Sequence, residues 1–154
     1  ITKAALPYTV VNAGVSGDTT AGGLRRVHWA MAKGADVIVI ALGGNDGLRG
    51  IPPGETKRNL LGIITKARAK NPKIKILIAG MQMPDNMGPR FTAAFKTLFP
   101  DVANESKATL IPFLIEGVGG VEKLNQEDGI HPTAEGQIKV ADNVWKFLHP
   151  VISP

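Results

Sequence analysis

Asp36-Val37-Ile38-Val39-Ile40-Ala41-Leu42, broken off by Gly43-Gly44-Asn45-Asp46, decides the fold class. A nearly continuous apolar run is how a strand reads when a parallel sheet is covered on both faces. Lys75-Ile76-Leu77-Ile78-Ala79-Gly80 repeats the pattern. Between the two, after Pro52-Pro53, helical spacing puts Leu60, Leu61, Ile64 and Ala67 on one side of a helix over about residues 55–70.

Working outward, Thr9-Val10-Val11-Asn12-Ala13-Gly14 is a β-rich run that ends in a turn. Ser16-Gly17-Asp18-Thr19-Thr20 then offers helix caps, and Leu24, Val27 and Met31 share one face of the helix that follows. Gly22 and Gly23 weaken its first turn. Downstream, residues 81–89 form a loop rich in Met, Pro and Gly, and a helix runs over about residues 90–106, disturbed at Pro100. Residues 109–113 read as a short strand whose Pro112 argues for an edge position. After a loop or broken helix over 117–126, the last helix opens at Pro132, with Ile138, Ala141, Trp145 and Leu148 on one face. Strands alternating with helices predict an α/β fold, a flavodoxin-like three-layer α/β/α domain with a mostly parallel sheet spanning residues 1–154.

Composition narrows the function classes. The 154 residues are 44% hydrophobic and 20% charged, a globular balance, and no apolar run reaches membrane-spanning length. With no cysteine, disulfides, zinc–cysteine sites and thiol chemistry are excluded, while the redox compartment stays open. A net charge of +5 carried by scattered lysines and arginines, with 5% aromatics, gives no basic footprint for nucleic acid.

In a doubly wound sheet chemistry sits at the carboxyl ends of the strands, where Gly17, Asn45, Asp128 and His131 all fall. Asp128 and His131, three residues apart, have the spacing of a carboxylate that holds an imidazole by one nitrogen and leaves the other as a base. They read equally as a surface pair capping the last helix. Asn45 is suited to donate to an oxyanion without carrying charge, and equally to cap its turn. Gly17 offers a backbone N–H at a helix entrance, where a plain turn would also place it. His28, beside an apolar stripe, and His149, at a helix end, read as structural. A metal at Asp128 and His131 lacks further ligands, and no GxGxxG opens a helix, so no cofactor is expected.

Ser16-Gly17-Asp18-Thr19, then Gly43-Gly44-Asn45-Asp46-Gly47-Leu48-Arg49-Gly50, then Asp128-Gly129-Ile130-His131-Pro132 together resemble the SGNH (GDSL) hydrolase superfamily. The likeness is strongest to its bacterial thioesterase/arylesterase/lysophospholipase I branch. The resemblance implies hydrolysis of a small acyl ester or thioester through an acyl-enzyme. It implies oxyanion donors at the Gly17 N–H and the Asn45 amide, His131 as base, Asp128 orienting it, and a mobile loop at residues 47–50. A periplasmic or secreted location would fit it.

The family's Gly-Asp-Ser block, which carries the nucleophile on its first strand, has no counterpart among these residues. Ser16, Ser106 and Ser153 lack its context, and Ser16 reads as a turn residue. In the family that strand lies inside the sheet, so the chain is expected to be N-terminally incomplete, with the missing strand possible as a separate fragment. Two rivals stand beside the hydrolase: a non-catalytic ligand-binding module that has lost the nucleophile, and a flavodoxin-like nucleotide or phosphate binder supported by fold class alone.

Overall fold

The computed structural model describes Ile1 and residues 4–153. Among them the chain runs α1 (Thr20–Ala30), β1 (Val37–Ile40), α2 (Gly44–Leu48), α3 (Pro53–Lys70), β2 (Lys75–Ala79), α4 (Pro89–Ser106), β3 (Thr109–Ile111) and α5 (Ala134–Ile152). The three strands form a parallel sheet in the order β1-β2-β3, with Val37 opposite Lys75 and Leu77 opposite Thr109.

Strand alternation sorts the core into two layers. Ile38, Ile40, Ile76, Ile78 and Leu110 meet α1, α3 and α4, where Val27, Leu60, Ile64, Phe95, Phe99 and Val102 are buried. Val37, Leu77, Ala79 and Ile111 face the other way, against Val144, Phe147, Leu148 and Val151 of α5. The fold class read from the sequence is therefore correct: a parallel sheet with helices on both faces. As expected, β3 is an edge strand, and Pro112 lies just beyond its ladder, where no N–H is needed.

Several elements differ from expectation. Residues 9–13 form no strand, and Val10 and Val11 are 73% and 72% exposed. A strand needs a neighbour for its backbone groups, and here the run is held by a side chain, Arg26 Nη1 donating to the Ala13 carbonyl at 2.6 Å. β1 is not covered on both faces. Among the described residues it pairs only with β2, and Val39, on the α5 side, is 38% exposed.

Gly22 and Gly23 serve packing: a Cβ on Gly23 would lie 2.3 Å from the Leu42 side chain. The turn at Gly43-Gly44-Asn45 is the start of α2. Gly43 caps it at φ +116°, and a Cβ there would stand 2.9 Å from the Phe99 ring. α4 continues through Pro100. α5 opens on Thr133, whose side chain accepts the Gly136 N–H, while Pro132 is bridged to Asn125. The α5 stripe predicted to face inward is mostly outward: Ile138 is 65% exposed and Ala141 is exposed, and of its four members only Leu148 packs on the sheet. The helix has apolar residues on two sides, and periodicity alone did not tell which side the sheet takes.

Candidate active site

Two polar clusters follow the carboxyl ends of strands. The first is built where the α2 turn meets the entrance to α1. Asn45 Nδ2 donates to the Asp18 carbonyl at 3.0 Å. A carbonyl only accepts, so this contact sets which end of the amide faces Asp18 and leaves the second N–H of Nδ2 for another partner. Arg49 Nη2 donates to the Gly17 carbonyl at 2.9 Å, and Arg26 Nε pairs with Asp18 at 2.6 Å. These two guanidinium groups fasten the 17–18 turn, at φ +72° for Gly17, in place of a strand. Among the described residues the Gly17 N–H meets no protein acceptor. The structure thus brings Gly17 and Asn45 into one cluster, joined through Asp18.

The second cluster is a closed loop before α5. Gln126 N–H donates to the His131 carbonyl at 2.8 Å, and Thr133 N–H to the Leu124 carbonyl at 2.9 Å, which ties the loop's base. Within it Asp128 Oδ1 accepts the N–H groups of Ile130 at 3.0 Å and His131 at 2.9 Å. Asp128 Oδ2 lies 2.7 Å from His131 Nδ1. The two backbone donors, that of His131 foremost, hold the Asp128 carboxyl down at about 2, from 3.8. Both side chains are exposed to solvent. An ionised carboxylate on Nδ1 fixes the tautomer that presents Nε2 as a base. No hydrogen bond joins this pair to Asn45 or Gly17 among the described residues.

Three polar residues escaped the sequence reading. Asn125 is buried beneath the second loop and donates to the carbonyls of Val118 at 2.7 Å and Val121 at 2.9 Å. Asn143 of α5 donates to the carbonyls of Phe113 and Leu114 at the β3 exit. Asp46 is fully buried beside the first cluster. An Asn or Asp in a turn looks the same in sequence whether it is solvated or buried, and only the packing separates them.

The serines take the positions expected of them. Ser16 is an exposed turn residue, Ser106 Oγ donates to the Val102 carbonyl at 2.6 Å, and Ser153 caps α5. No group of three or more His, Asp or Glu side chains placed to hold a metal occurs among the described residues.

The family model described as GDSL-like lipase/acylhydrolase matches residues 2–138. The chain belongs to that family. It is 47% identical over 146 residues to the esterase TesA of Pseudomonas aeruginosa, covering 94% of this chain and 72% of that protein. It is 36% identical over 146 residues to thioesterase 1/protease 1/lysophospholipase L1 of Escherichia coli K12, covering 94% and 69%. A crystal structure of TesA superposes with a TM-score of 0.91 at 45% identity, over 97% of this chain and 82% of that one. Membership makes the chain part of a family of ester hydrolases, as the sequence motifs implied.

Proposed function

We propose that residues 1–154 form the larger part of a serine carboxylic-ester hydrolase whose substrates are small acyl esters or thioesters. The observation that carries this is the Asp128–His131 pair, with Nδ1 engaged at 2.7 Å and Nε2 left for a nucleophile. His131 takes the proton of an attacking serine. The tetrahedral oxyanion is met by the Gly17 N–H and the Asn45 amide, His131 returns the proton to the leaving group, and water then cleaves the acyl-enzyme. The relatives' names, esterase and thioesterase/lysophospholipase, support the substrate class.

The serine itself is assigned to a strand outside these residues, paired with the free edge of β1 and followed by a helix. Three surfaces support that placement: the exposed Val39 on β1, the Ile138–Ala141 side of α5, and the Val10–Val11 segment. Covering the exposed side of β1 is what a sheet buried on both faces requires. The segment is proposed as part of the same gene product or as a separate chain. The rival reading, a pocket that binds acyl ligands without cleaving them, is favoured by one fact: no serine hydroxyl is hydrogen-bonded to His131 among the described residues. Adding a β–α peptide that contains Gly-Asp-Ser and assaying ester cleavage separates the two. Activity sensitive to a serine inhibitor supports the hydrolase, and binding of an acyl ligand without turnover supports the rival.

A further inference from the structure

Asp46 is buried to 0% exposure, yet no lysine, arginine or histidine pairs with it among the described residues. Its partners are neutral. Oδ2 accepts the Thr20 N–H at 2.9 Å, and Oδ1 accepts the Thr20 hydroxyl and, at 3.4 Å, the Thr56 hydroxyl. Asn59 of α3 donates to Thr20 Oγ1 at 3.1 Å and completes the network. Burying a carboxylate is costly even when it is hydrogen-bonded, so a side chain kept there calls for a reason beyond filling space.

Its position supplies one. Thr20 is the first residue of α1, whose first turn holds no acidic residue of its own. Asp46 therefore brings a negative charge from α2 to the positive end of α1. It also closes a ring. From Asp18 the backbone runs to Thr20, the Thr20 hydroxyl and N–H both lead to the Asp46 carboxylate, the backbone passes to Asn45, and the Asn45 amide returns to the Asp18 carbonyl. Gly17 adjoins this ring at Asp18 and Asn45 belongs to it. The ring holds Asp18 against Asn45, and Gly17, joined to Asp18 and fastened at its carbonyl by Arg49, is held with it.

We propose that Asp46 is a positioning residue: through Thr20 it fixes the separation and aim of the two oxyanion donors, the Gly17 N–H and the Asn45 amide. The proposal rests on the roles given to those two groups above. It predicts that weakening the ring loosens Asn45 before it unfolds the protein, because Thr56 and Asn59 still hold neighbouring elements.

The test compares Asp46→Asn and Thr20→Val with the parent, in the protein with the Gly-Asp-Ser peptide supplied. Lys57→Ala, at the surface ion pair with Glu105, serves as control. The first readout is hydrogen exchange of the Asn45 side-chain amide by NMR, which needs no catalysis. The second is the split between kcat and KM for a short ester. Both variants are expected to exchange at least about tenfold faster and to lose at least about tenfold in kcat, with KM within about twofold. Thr20→Ser, which keeps the hydroxyl, is expected to restore both. If Asp46→Asn does not fold, the Thr20 pair decides. Exchange and kcat within about twofold of the parent in Thr20→Val, or a Thr20→Ser variant as impaired as Thr20→Val, would overturn the proposal. Faster exchange in the two variants than in a parent that itself shows no ester cleavage would uphold the clamp and reject the hydrolase assignment instead.

Discussion

Replacing Asp128 by Asn isolates the orienting role of its carboxylate. The substitution keeps an oxygen where Oδ1 accepts the Ile130 and His131 N–H groups, so the loop retains its fastening. It puts an NH₂ where Oδ2 now lies 2.7 Å from His131 Nδ1. Two donors cannot face each other. The imidazole then gives up its Nδ1 proton and carries it on Nε2, the position that must be free to take the serine's proton. The base is lost by a change of tautomer while the fold is left in place. The same substitution in a comparable Ser-His-Asp site lowers kcat about 10⁴-fold, and because this pair is exposed to solvent a loss of about 10³–10⁴ is expected here. The assay is p-nitrophenyl ester cleavage at neutral pH with the Gly-Asp-Ser peptide supplied, alongside a melting curve. A variant retaining kcat within about tenfold of the parent would show that Asp128 does not set the His131 tautomer.

The same geometry sets three further outcomes, each measured with the Gly-Asp-Ser peptide supplied. Asn45→Ala should lower kcat by about 10²–10³, while loss of its single bond to the Asp18 carbonyl should cost only about 1 kcal/mol in stability; near-parental turnover would remove Asn45 as an oxyanion donor. Because the folded carboxyl of Asp128 sits at about 2, below the unfolded 3.8, its contribution to stability is complete above roughly pH 4 and fades as pH falls toward 2. An acid-unfolding midpoint that does not move in Asp128→Ala would contradict this. Gly43→Ala combines a forbidden φ with a 2.9 Å approach to Phe99, and should destabilise by about 2–4 kcal/mol, read as a shift in urea midpoint with unchanged slope.

The parts of the fold that were legible in the sequence are those dictated by continuous burial. Residues 75–80 announce a strand because a parallel strand between helical layers has no polar side, residues 36–42 carry the same apolar run although Val39 on the α5 side of β1 is exposed, and Leu60, Ile64 and Ala67 mark the inner face of α3. Elements that depend on a partner were misread. Residues 9–13 have strand chemistry but no neighbour to share their backbone groups among the described residues, and the outward stripe on α5 looks in sequence like any inward one. Gly43 hid α2, since a glycine pair reads as a break until its left-handed φ and the Phe99 ring show why it is there. At the site, Asn45, Asp128 and His131 stood out as polar residues after strands. Asp46 did not, because an acid next to an asparagine in a turn looks solvated until its burial is seen.

The central claim is that these residues hold the base and the oxyanion donors of a hydrolase and take their serine from a strand seated on β1. Native stability is only about 5–15 kcal/mol, and each large apolar side chain buried contributes about 1.5–3 kcal/mol, so a strand with several of them decides whether the domain folds. The most direct measurement is thermal unfolding and p-nitrophenyl ester cleavage of the 154-residue chain, alone and with the Gly-Asp-Ser β–α peptide. The account predicts that the lone chain shows neither a cooperative transition nor activity, and that the peptide restores both, with activity abolished when its serine is replaced by alanine. A sharp transition together with serine-inhibitor-sensitive cleavage by the lone chain would contradict it and point to Ser16.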